Sequence, residues 1–121
     1  MAQVRVRQRE EGATRAPGAR MPLESTISKN IMKAVPKQIP GAVILKRHVS
    51  MGVMGHPDLY GCLPGGLHFE IEVKQPGNKP SELQLLRLAE WKAAGAITGV
   101  ATTVQEALAI LLRGQDEARH T

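Results

Sequence analysis

Apolar residues recur every fourth position through Leu23, Ile27, Ile31 and Val35, with Lys29 and Lys33 between them. This is the stripe of an amphipathic helix. Pro22 suits its first turn, and Pro36 and Pro40 are expected to end it. Ala42-Val43-Ile44-Leu45 then opens a first strand that turns basic at Lys46, Arg47 and His48. A second strand is predicted over 58–62, and Leu63-Pro64-Gly65-Gly66 closes a hairpin, with Cys62 at the turn. From Leu67 to Lys74 the alternation is strict: Leu67, Phe69, Ile71 and Val73 face one way, His68, Glu70, Glu72 and Lys74 the other. Ser81 and Gln84 have capping-box spacing and start a helix whose inward stripe is expected at Leu85, Leu88 and Ala89, with Gly95 ending it. Ala96 to Ala101 is apolar and reads as an interior strand. Thr103 and Glu106 repeat the capping spacing and open a last helix, expected to run to Leu112 before Gly114 and a polar tail. The predicted order is α-β-β-β-α-β-α, with no internal repeat.

Composition changes this picture in three ways. The chain has 121 residues, which favours one domain, and Phe69, Tyr60 and Trp91 are its only aromatics, so the core must be aliphatic. The same scarcity argues against single-strand binding by base stacking. Net charge is +5, which suits an anionic partner. Residues 1–20 carry Arg5, Arg7, Arg9 and Arg15 without a hydrophobic period; they read as a flexible basic arm or a plain leader, ahead of one domain at 21–121. A single cysteine excludes an intramolecular disulfide and fits a reducing compartment. No run reaches the roughly 18 apolar residues of a membrane span, so a cytoplasmic location is expected.

The candidate chemistry lies in Gly-His-Pro-Asp-Leu-Tyr-Gly at 55–61 and Glu-Ile-Glu-Val-Lys at 70–74. Glu72 and Lys74 share a strand face, and the hairpin can bring Asp58 beside them. Two carboxylates suffice to hold Mg2+ or Mn2+, the remaining positions going to water and substrate oxygens; the Val73 carbonyl is a candidate third ligand. Lys74 would orient the attacking water or offset charge on a scissile phosphate. Such a set is equipped to cut a phosphodiester.

Pro57-Asp58, thirteen intervening residues, then Glu72-Val73-Lys74 resembles the PD-(D/E)xK nuclease superfamily. With Phe69-Glu70 before it and Gln84 in the next helix, the pattern is similar to the VRR-NUC (virus-type replication-repair nuclease) domain over about residues 22–112. The resemblance implies an α/β fold with a restriction-endonuclease-like core (αβββαβ plus a C-terminal helix), a mixed central sheet flanked by helices, and kinship with Holliday-junction resolvases. It implies metal-dependent endonucleolytic cleavage of DNA, often structure-selective, by a homodimer in a bacterial cell or phage-infected host. Asp58 and Glu72 then match the family's metal-binding acids, Lys74 its catalytic lysine and Gln84 the polar residue near its site. Glu24 matches an acid that completes the metal site in resolvase-like members.

Each residue also has a plain reading. Asp58 could be a turn residue, Glu72 and Lys74 solvated strand charges, Gln84 a cap, and Glu24 an acid favoured by the helix dipole. Glu70 shares the face of Glu72 and competes with it as ligand; the Glu-X-Lys spacing favours Glu72 and leaves Glu70 to solvent or to a supporting place behind the ligands. Lys46, Arg47, His56 and Lys79 are candidate DNA contacts, or merely exposed. The competing function is a basic module that binds DNA junctions without cutting. A dimer surface could form at Ile31-Met32 or over Met51–Met54, or these residues could equally pack inside.

Overall fold

The computed structural model describes residues 21–48 and 54–120. The order is α1 (Glu24–Gln38), β1 (Val43–Lys46), β2 (Leu59–Leu63), β3 (Leu67–Val73), α2 (Glu82–Ala93), β4 (Ile97–Ala101) and α3 (Val104–Arg119). The sheet runs β1-β2-β3-β4. β1, β2 and β3 pair antiparallel through short connections, and β3 pairs parallel with β4 through the α2 crossover. This is the expected α/β class with a mixed sheet.

The odd-numbered residues of β2 and β3 meet in register, Leu59 with Ile71 and Leu63 with Leu67. They form one core with Ile27, Ile31 and Val35 of α1 and Ala107 and Leu111 of α3. Ile31 is fully buried there, so it is core and not a dimer surface; Met51 to Val53 lie outside the described residues. Gly61 sits in the middle of β2. A Cβ there would stand 1.9 Å from the Val43 carbonyl oxygen, so β1 can approach only a glycine.

Five local expectations change. α1 runs through Pro36 to Gln38, because Val35 and Ile39 are buried on either side of it and outweigh the one lost backbone bond; Pro40 stops the helix instead, with Ile39 already out of the helical conformation before it. Cys62 lies within β2 opposite Val43, not in the turn. In α2, Leu88 is buried while Leu85 and Ala89 are exposed. The inward stripe is Gln84, Arg87, Leu88 and Trp91, correctly spaced for a helix but mixed in polarity, because it faces the charged side of the sheet. β4 is an edge strand and not an interior one; it reads as apolar because helices flank it. α3 continues past Gly114 to Arg119, since the missing side chain at Gly114 admits Ile97 of β4.

Candidate functional site

α1 and α3 cover the odd-residue face of β3, which leaves the even-residue face to carry the charges. Asp58 immediately precedes β2 and accepts a hydrogen bond from the Val73 N–H, 2.8 Å from Oδ2. The hairpin therefore brings Asp58 to the C-terminal end of β3, where Glu72 and Lys74 emerge. Lys74 Nζ is 3.7 Å from Glu72 Oε2. Glu72 is 1% exposed, and its Oε1 is buried with no hydrogen-bond partner.

Burial above all, and then the Asp58 charge, push the Glu72 carboxyl up to about 8; Lys74 pulls the other way, and the charge of Glu24 adds a smaller push. Two neighbouring carboxyls thus share one site, and the charge of Asp58 opposes the ionisation of Glu72. Glu24, the first residue of α1, reaches this site through its field. The Pro22 carbonyl, just ahead of α1, accepts from Gln75 Nε2 at 2.9 Å and ties the start of the helix to the end of β3.

Glu70 is also fully buried but differently employed, which rules out the solvent-facing alternative and leaves the supporting one. Arg47 grips both of its oxygens, Nη1 to Oε1 at 2.5 Å and Nη2 to Oε2 at 3.1 Å. His68 Nε2 lies 2.6 Å from Oε2. The Arg47 guanidinium rests over the rings of Tyr60 and Trp91, at 4.4 and 5.6 Å. Glu70 is thus neutralised by protein groups, whereas Glu72 keeps an orphaned oxygen. A pair of acids two residues apart on one strand face has divided into one engaged by Arg47 and His68 and one that faces Lys74 with a single oxygen and keeps the other without a partner.

Other candidates are placed as follows. The Gln84 carbonyl accepts from the Ser81 N–H at 2.9 Å while Ser81 Oγ accepts from the Gln84 N–H at 3.1 Å, so its side chain closes the cap of α2. His56 Nδ1 accepts from Trp91 Nε1 at 3.1 Å, and the Met54 carbonyl accepts from Arg87 Nε at 3.0 Å. α2 thereby holds the segment that leads into Asp58. Arg47 faces inward; Lys46 and Lys79 are exposed. Among the described residues no three His, Cys, Asp or Glu side chains form a ready-made metal cage. The donor set that Asp58 and Glu72 offer is two carboxylates, which suits a hard divalent cation that retains water and takes up substrate oxygens.

A solved structure described as "VRR_NUC domain" shares this architecture with a TM-score of 0.56, at 24% identity over 69% of this chain and 91% of that one. The fold is that of a VRR-NUC domain. No family profile matches the chain, and no curated protein matches it significantly. Among the described residues no helix is long and apolar enough to cross a membrane.

The network of His56, His68, Glu70 and Trp91 went unread in the sequence as a unit. Its one visible signal is His68-X-Glu70 on the face shared with Glu72; the partners come from Arg47 just after β1, the segment ahead of β2, and α2.

Proposed function

We propose that this VRR-NUC-fold chain is a Mg2+- or Mn2+-dependent endonuclease that hydrolyses phosphodiester bonds of duplex or branched DNA as a homodimer. The observation that carries the reading is the unpartnered, buried Oε1 of Glu72 beside Asp58. A buried polar atom without a partner is costly, and a dication between the two carboxylates would satisfy it and relieve their repulsion. Asp58 and Glu72 would hold the ion, with the Val73 carbonyl and Glu24 as further candidates at the same end of β3. The bound cation would supply Lewis-acid stabilisation of the charge that builds on the phosphate.

The chain's own groups do the rest. Asp58 keeps its orientation through the Val73 N–H. Lys74, 15% exposed at the side chain, can reach from Glu72 toward solvent, hold a water for in-line attack and offset phosphate charge. Lys46 and Lys79 present exposed cations for backbone phosphates, an interaction that weakens as salt rises. A two-strand cut needs two such sites, hence the dimer.

The test is incubation of the purified chain with plain, flapped and four-way-junction DNA, with Mn2+ or with EDTA. Cutting is expected only with the metal, and Asp58→Asn or Lys74→Ala is expected to slow it by about 100-fold or more. Binding of junctions without any cutting would replace the enzymatic reading with the DNA-binding one. Sedimentation of the same sample reads the oligomeric state.

A further inference from the structure

Arg47 stands one residue beyond β1, and its hydrogen bonds converge on the residue that most needs placing. Its main-chain N–H donates to the Asp58 carbonyl at 2.7 Å, and its guanidinium Nη1 donates to the Pro57 carbonyl at 2.8 Å. The peptide groups on both sides of the Asp58 Cα are therefore held by one residue. The same guanidinium forks onto both oxygens of Glu70, which sits two residues before Glu72 on the same face of β3. One side chain thus joins the backbone that presents Asp58 to the strand that presents Glu72. His68 also holds Glu70, at Oε2, and the Tyr60 ring lies against the guanidinium. The fork is committed to internal acceptors, and the Arg47 side chain is 23% exposed.

We propose that Arg47 is a positioning residue that sets Asp58 against Glu72, and so sets the affinity for the divalent cation, without touching DNA. The proposal rests on the reading of Asp58 and Glu72 as the cation's ligands. Arginine is required because its planar fork reaches the Pro57 carbonyl and both Glu70 oxygens at once; lysine offers the charge without that geometry. Groups that orient metal ligands without touching the metal commonly govern 10- to 100-fold in affinity.

The experiment titrates Mn2+ into the full chain without DNA and follows free Mn2+ by electron paramagnetic resonance, for the parent and for Arg47→Lys. Duplex DNA affinity is read in parallel by fluorescence anisotropy in EDTA. Arg47→Lys is expected to weaken Mn2+ binding about 10-fold or more while leaving the DNA Kd unchanged. If that variant loses its near-ultraviolet circular dichroism, Glu70→Gln takes its place with the same expectation, since it keeps the shape of the acceptor and removes its charge. Mn2+ affinity equal to the parent's overturns the proposal, even if fewer molecules bind, because a merely destabilised protein loses sites rather than affinity. A weakened DNA Kd with a shallower salt dependence and unchanged Mn2+ affinity also overturns it, in favour of a phosphate contact. A parent that binds no Mn2+ removes the metal-site reading itself, and the proposal with it; that outcome is visible in the parent alone.

Discussion

Glu70 and Glu72 differ by two positions and by nothing that their own chemistry would reveal. Arg47 and His68 compensate the first; the second is buried beside another acid. The consequence for pH follows from the sign of the shift. Glu72 holds its proton up to about pH 8 in the folded chain, while the unfolded chain releases it near the ordinary carboxylate value of 4.5. The folded state then binds more protons between these values, so metal-free stability falls as pH rises from 4.5 to 8. Glu72→Gln removes that dependence. Its Tm without metal is expected to exceed the parent's at pH 8 and to approach it at pH 5, read by thermal unfolding across that range; a constant difference would show that Glu72 ionises normally. Gly61 gives a second residue-scale expectation. Gly61→Ala would drive a methyl into the Val43 carbonyl and the Phe69 ring, and is expected to cost about 3 kcal/mol or more in chemical denaturation.

At the scale of elements, α2 explains why one hydrophobic pattern misled. A helix over an apolar sheet face shows its inward stripe as leucines, but α2 lies over histidines and carboxylates. Its inward positions accordingly include Gln84, Arg87 and Trp91, and Leu83, Leu85 and Leu86 are left outside. Leu88→Ala is expected to destabilise the protein by about 2–5 kcal/mol, whereas Leu85→Ala should fall within about 0.5 kcal/mol of the parent. Urea unfolding of the two variants checks the assignment, and equal losses would contradict it. The same helix fastens the chain ahead of Asp58 through Arg87 and Trp91, so the crossover that makes β4 parallel to β3 also steadies the site.

For the molecule as a whole, folding and cation binding should be linked. Building the site places two acids in a low-dielectric corner, at a cost in stability that the bound ion would recover. Mn2+ at about one hundred times its Kd is expected to raise stability by about 2.7 kcal/mol, measured at pH 8, and Glu72→Gln should abolish most of the gain. Ca2+ or Mg2+ titrated in the same way would rank the ions. No gain with any divalent ion would remove the reason for burying Glu72.

Much of this architecture was legible from local pattern. Leu23 to Val35 spelled a helix, the alternation at 67–74 spelled a strand, and Pro64-Gly65-Gly66 spelled the hairpin that delivers Asp58 to Glu72, because each signal acts over a few residues and survives in any context. Non-local packing settled what those signals could not. It carried α1 past Pro36 by burying Ile39, extended α3 past Gly114 by admitting Ile97, and moved β4 to the edge. It also separated Glu70 from Glu72: each has a cationic neighbour two residues along the strand, His68 or Lys74, but the Arg47 fork that engages only Glu70 arrives from a distant segment. A bidentate partner from twenty-three residues away is a property of neighbours in space, and no spacing along the chain encodes it.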